Sequence, residues 1–371
     1  MADVYTNSIS RNKKRKRKSY SGKDLLRLLF DALFTLMIPI LLFGTVVAVL
    51  CQYISPERSG MLSTVAIGAP IIYLFDIIAM LYWIVRWKWY RAVIMMVPVL
   101  LGFCYLSRYY KFDLDRDYDT PFVERRYNKV MTYNVCVGVK EGLVTYIERH
   151  NPDILCLQEM NSYSDNWESL KSNYKSTRKF DDNTDNFILT KHRILRSGVI
   201  EGLPSTCAVW SDLKVKDDTI RVVSLHLQST SIRPEDTQFL ENHDYITDKE
   251  RESKLQSIIA RLVENNQKRA LQSEMIADFL KQSPHRLVVC GDLNDVPLSY
   301  TYRRISRKLD DTFSKMAEGF AYTYDTKYKL LRIDNIFVSP SVEVVSYEVD
   351  EKADFSDHYP VISRLKFEQK R

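Results

Sequence analysis

Three long apolar runs, Ala32 to Tyr53, Met61 to Val85 and Trp89 to Tyr105, constrain this chain of 371 residues more than any other feature. A helix rises about 1.5 Å per residue, so roughly 20 apolar residues cross a bilayer core. The first two runs reach that length, and the third has a strong apolar centre from Ala92 to Leu101. Trp83, Trp87, Trp89 and Tyr90 gather at one expected interface, as aromatic belts do. Pro39, Pro70 and Pro98 would break helices in water but are tolerated in lipid. A cleaved signal peptide fits poorly, because the apolar content recurs. The chain therefore reads as a basic segment (1–30), three transmembrane helices (31–110), a linker (111–125) and a final domain (126–371).

The formal charge of +6 is concentrated at one end. Arg11, Lys13, Lys14, Arg15, Lys16, Arg17 and Lys18 exceed all of it, and the remainder is close to neutral. That argues against a broad electrostatic surface for bulk nucleic acid, though not against a local patch. With three spans, the basic run and Arg86, Lys88 and Arg91 lie on one side, while the turn from Ser55 to Gly60 holds only Arg58. The positive-inside rule makes the N-terminus cytoplasmic in a multi-pass membrane protein. The final domain then lies outside the cytoplasm, in the periplasm if the cell is a double-membrane bacterium. Read alone, the run could also be a nuclear signal or a nucleic-acid-binding arm. Asp76, inside the second span, is either functional or a polar contact within the bundle.

From about Asp119 the pattern becomes Val- and Ile-rich strands alternating with helices. Strands are expected over 129–135, 154–159, 186–190, 207–213, 220–228, 286–290, 332–338, 342–349 and 361–367. Helices are expected over 142–149, as a pair between about Asp248 and Lys281, and over 299–308. This is a layered α/β domain. The cysteines, Cys51, Cys104, Cys136, Cys156, Cys207 and Cys290, have no metal-type spacing and read as buried free thiols.

Within that domain, chemistry gathers at strand ends. Leu287 to Cys290 runs into Gly291-Asp292-Leu293-Asn294-Asp295, a buried strand that ends by presenting carboxylates and an amide. Its companions are Gln158-Glu159 after Asp153 to Leu157, His226 in Ser224-Leu225-His226-Leu227-Gln228, and Ser356-Asp357-His358-Tyr359-Pro360. With Met131 to Val135 and Leu331 to Phe337, these form six ordered blocks. In this the chain resembles the endonuclease/exonuclease/phosphatase superfamily from Lys129 to Leu365. The resemblance implies a four-layer α/β/β/α sandwich of two mixed β-sheets flanked by helices, with the site at one rim.

It also implies hydrolysis of phosphate esters by activated water. Glu159 and Asp357 would hold Mg²⁺ or Mn²⁺, which take hard oxygen ligands, and Asn134 would support that shell. Asp292 would orient or deprotonate the water and Asn294 would donate to a phosphoryl oxygen. Asp334 would orient His358, which either polarises the phosphate or acts as base. His226 would bind a phosphoryl oxygen or protonate the leaving group. Histidine titration would make activity depend on pH between about 6 and 8.

Cys136 stands where many nucleases of the family carry a second metal-binding aspartate, which weighs against a two-metal nuclease site. Leu331-Arg332-Ile333 replaces the Cys-Asp-Arg phrase usual in the inositol phosphatases. The substrate is a phosphate ester, nucleic acid or lipid head group, and the bilayer is the partner; no obligate protein partner is evident. The 232–268 segment is either a substrate-selecting lid or a solvated helical insertion. The competing function is a silent membrane receptor or scaffold that kept the fold.

Overall fold

The computed structural model describes residues 21–111, 127–174, 184–231, 235–236, 239, 248–327 and 329–367. The basic run at 11–18, nearly all of the expected linker and much of 232–247 lie outside the described residues.

Helices α1 (Gly22–Leu50), α2 (Gly60–Val85) and α3 (Trp89–Leu106) are each long and apolar enough to cross a membrane. α1 starts ahead of its apolar run because Ser21 and Asp24 form a reciprocal capping box. Leu36, Phe43 and Phe103 stay exposed on the bundle's outside, while Leu41, Ala79, Trp83, Ala92 and Met95 pack inside it. Thr45 Oγ1 donates to the buried Asp76 across α1 and α2 at 2.5 Å, so Asp76 is a polar contact of the bundle.

The domain that follows has two mixed sheets. One has the order β12 (Glu343–Val349), β13 (Val361–Lys366), β2 (Asn128–Val137), β3 (Ile154–Met160), β4 (Phe187–Thr190). The other runs β5 (Arg193–Val199), β6 (Ala208–Val215), β7 (Asp218–His226), β8 (Arg286–Asp292), β11 (Asp334–Val338), β9 (Asp310–Asp311). In each sheet the central pair, β2–β3 and β7–β8, is parallel. A short ribbon of β1 (Tyr110–Lys111) and β10 (Gly319–Phe320) lies beside the end of α3.

Val130, Ile154, Val209, Val222, Val288, Ile336 and Val361 fill the space between the sheets. On one outer face α4 (Leu143–His150) and α5 (Asp165–Asn173) cover Met131, Tyr133, Leu155 and Leu157. On the other, α6 (Asp248–Lys281) and α7 (Tyr300–Ser306) cover Val223, Leu225 and Val289. This is the expected four-layer sandwich. A further short helix, α8 (Thr312–Met316), follows β9.

The expected helix pair between 248 and 281 is one helix of 34 residues. It contains neither Gly nor Pro, and Asn265 and Asn266, between its two apolar stretches, bond outward, Asn265 Nδ2 to Thr230 O and Asn266 Nδ2 to Ser63 Oγ. The inferred strand list lacks β5, whose exposed arginines suit a sheet edge. It also lacks α5, started by Ser164 Oγ accepting from Trp167 N. All six cysteines are free; Cys51, Cys156, Cys207 and Cys290 are buried as expected, whereas Cys104 and Cys136 are exposed.

The bundle and the domain share packing. Val296, in the loop after β8, packs with Cys51 and Ala66, and Leu298 with Ala48 and Ala69. Leu331 joins the Cys51 group. Arg108 Nη1 donates to Pro297 O at 3.0 Å, and Arg332 Nη2 donates to Arg108 O at 3.1 Å. From α6, Asn266 Nδ2 reaches Ser63 Oγ at 2.6 Å and Gln267 Nε2 reaches Pro56 O at 3.3 Å.

Candidate active site

Register brings the functional side chains together. In the second sheet His226, Asp292 and Asp334 stand side by side across β7, β8 and β11. In the first, Asn134 pairs with Gln158, and Glu159 follows. Asn134 Nδ2 bridges the sheets, 3.0 Å from Glu159 Oε1 and 3.2 Å from Asp292 Oδ2.

Asp292 is fully buried and held from several directions. Its Oδ1 accepts Asn294 N at 2.7 Å, and its Oδ2 accepts Asn294 Nδ2 at 3.0 Å as well as Asn134. His226 Nε2 lies 3.4 Å from Glu159 Oε1. His358 Nδ1 lies 2.9 Å from Asp334 Oδ2, with Nε2 3.8 Å from Asp292 Oδ2. Burial alone would lower the His358 pKa, but Asp334 and Asp292 outweigh it and push the imidazole up to about 10. His358 is thus held charged through neutrality, which departs from the titration near neutrality expected of it.

Backbone strain marks the same place. Cys136, Val137, Glu159 and Asn294 all have positive φ, a costly conformation for β-branched Val137 above all. Gly291 has φ +134°, and a Cβ there would lie 1.9 Å from Leu225 O of the neighbouring strand. Only glycine allows β8 to approach β7 this closely where both deliver site residues.

Asp357 is exposed. Burial, then the carboxylates of Asp357 and Glu159, raise the Cys136 thiol, so Cys136 stands near both expected metal ligands. The donor set suits a hard divalent cation. Among the described residues no lysine or arginine bonds to Glu159, Asp292, Asp334 or Asp357, and the buried Asp334 Oδ1 has no hydrogen-bond partner. Ligand atoms of Asp292, Asp334 and His358 lie within 4.8 Å of one another, a compact set that differs from the expected Glu159 and Asp357. Asp334 and His358 already bind each other, whereas the Glu159 side chain is 37% exposed toward the opening.

Sequence reasoning missed the groups behind these. Thr323 Oγ1 accepts from Ile333 N and Asp334 N, both at 2.9 Å, and fixes Asp334. Tyr324 pairs with His358 as an isolated bridge, its ring 4.9 Å from the imidazole. Ser224 and Asn186 join Gln158 in a buried polar link between the sheets, with Gln158 Nε2 3.0 Å from Ser224 Oγ and Ser224 Oγ 2.6 Å from Asn186 Oδ1. Nothing in the spacing of Thr323 or Asn186 signals these contacts.

Among solved structures, the chain is similar to an endonuclease/exonuclease/phosphatase family protein from Bacteroides thetaiotaomicron, at 19% identity over 65% of this chain and 98% of that one, with TM-score 0.46. It is similar to the 3′ phosphatase NExo from Neisseria at 18% identity over 64% and 98%, with TM-score 0.46. The human Nocturnin catalytic domain is similar at 17% identity over 67% and 97%, with TM-score 0.45. No curated protein matches the chain in sequence. Residues 30–109 match a domain of unknown function. The Endonuclease/Exonuclease/phosphatase family model matches residues 131–358, more than half of the chain and every block that supplies the site, and the chain belongs to that family.

Proposed function

We propose that this protein is a membrane-anchored, divalent-metal-dependent phosphoesterase, with its N-terminus in the cytoplasm and residues 126–371 forming a catalytic domain outside it. The observation that carries the reading is the Asn134 bridge, which ties Glu159 and Asp292 of different sheets into one cluster at the rim. Membership in a family of phosphate-ester hydrolases supports it.

Glu159 and Asp357 would hold Mg²⁺ or Mn²⁺, which supplies positive charge against the phosphate. The protein's own groups do the rest. Asp292, locked by Asn134 and Asn294, orients the attacking water and takes its proton as the new O–P bond forms. Charged His358, oriented by Asp334, and the amide of Asn294 donate to phosphoryl oxygens as charge develops there. His226, beside Glu159, gives a proton to the leaving oxygen as the old O–P bond breaks.

The test is a hydrolysis screen of the full chain with Mg²⁺ or Mn²⁺ on DNA, phospholipids and a chromogenic phosphodiester. Folded protein that is inactive on all of them would sink the reading. A reporter fusion near Glu124 that shows activity in the cytoplasm would overturn the orientation.

A further inference from the structure

We propose that the site acts on a phosphoester carried by the membrane itself, the head group of an amphiphile anchored in the outward-facing leaflet. This rests on the phosphoesterase reading above and names its substrate class.

The first observation is how short the chain is between chemistry and bundle. Asp292 and Asn294 are followed by Val296 and Leu298, which pack on Ala48, Cys51, Ala66 and Ala69 at the ends of α1 and α2. Four residues span at most roughly 14 Å. On its other side Asp334 follows Leu331, also packed on Cys51 and Ala66, by three residues and therefore at most roughly 11 Å. Cys51 Sγ reaches Leu298 O, and Arg108 at the end of α3 holds Pro297 O. Two loops that carry site residues are thus fixed on the mouth of the bundle. The head-group layer is about 5–8 Å deep on each side of the hydrocarbon. The reacting groups therefore sit within about two or three head-group depths of residues seated on the bundle.

The second observation is the character of the edge formed after β2 and β3. Val137, the last residue of β2, and Val139, just beyond it, are 50% and 57% exposed, and Tyr163, in the loop after β3, is 75% exposed. Asn161 N donates to Val137 O at 3.1 Å, so the two loops form one edge. That edge offers apolar surface beside an acidic site. Among the described residues Lys140, the basic group beside Val139, donates to Asp354 O at 2.7 Å, whereas a nucleic-acid groove would carry several lysines or arginines facing successive phosphates. An amphiphile meets both features, its phosphoester in the site and its apolar part against the rim and bilayer.

The experiment uses the full chain reconstituted in phosphatidylcholine vesicles with Mg²⁺. Phosphatidic acid or phosphatidylglycerol is incorporated in the same bilayer and compared with water-soluble glycerol 3-phosphate, glycerophosphoglycerol and a single-stranded oligonucleotide. The membrane-borne ester should turn over at least about tenfold faster than its soluble counterpart. The Val137→Asp/Val139→Asp variant should require more membrane-borne ester for half-saturation, with kcat little changed. Equal or faster hydrolysis of the soluble esters or the oligonucleotide would overturn the proposal and leave the phosphoesterase standing. Absence of hydrolysis in every arm, with Mn²⁺ as well, would overturn both.

Discussion

Asp334 faces Asp292 directly across the antiparallel pair of β8 and β11, so two buried carboxylates occupy neighbouring positions in one row. Like charges placed opposite each other destabilise a sheet. His358 relieves this, bonding Asp334 through Nδ1 while its Nε2 faces Asp292. One imidazolium therefore both keeps the row intact and supplies the charge proposed to act on the phosphate.

His358→Ala should lower turnover by at least about a thousandfold, within the range for loss of a positioned proton or charge donor. Asp292→Ala should do likewise. The double variant should be little worse than the poorer single one, because residues acting as a unit are non-additive. Stability should also fall by about 3–5 kcal/mol in His358→Ala, since a buried charge loses its partner. Adding Asp334→Asn should restore part of that loss. Single-turnover kinetics and denaturant titration check the two halves, and additive losses in activity would contradict the mechanism.

In chelator, stability should depend on the protonation of His358. Its folded pKa, about 10, lies above the ordinary 6.5, so the pair's contribution is complete below about pH 6.5 and fades as pH rises toward 10. The melting temperature of the chelated protein should fall over that window more steeply than that of His358→Asn. Parallel curves would show that the imidazole is not held charged.

Chelation should abolish hydrolysis, with Mg²⁺ or Mn²⁺ restoring it and Zn²⁺ substituting poorly, since the outer ligands are oxygens. Glu159→Gln keeps the shape and removes the charge, so its metal titration should shift to higher concentration by at least about tenfold. An unchanged titration would move the metal to another carboxylate.

Gly291→Ala should prevent accumulation of folded protein, because its Cβ would collide with backbone rather than a movable side chain. Full expression and activity of that variant would show that β7 and β8 separate more easily than their register implies.

Much of this was legible in the sequence. The three long helices announced themselves by length and apolarity, and the strands of both sheets except β5 and β9 by Val and Ile runs bounded by Gly, Pro, Asn or Asp. The residues of the candidate site lie at or near the ends of such runs, and the resemblance to the family supplied the roles proposed for them. What was hidden depends on distance in sequence. The bond from Asn134 to Asp292 joins residues 158 positions apart, and no local pattern encodes it. Thr323 escaped notice because a hydroxyl that accepts two backbone amides looks like any loop threonine. The expected helix pair is one helix because Asn265 and Asn266, between its two apolar stretches, have tertiary partners for side chains that otherwise discourage helix.

The seating of Val296 and Leu298 on Ala48, Cys51, Ala66 and Ala69 also sets an order of assembly. During synthesis the three helices, each long and apolar enough to cross a membrane, emerge well before β8 exists. The loop that finishes the site then arrives at a surface already waiting for it. The helices are in this sense a template as well as the proposed anchor, and a copy of the domain made without them would expose Val296, Leu298 and Leu331 to water. Such a fragment should associate with itself through that patch, beside the groups meant to meet substrate.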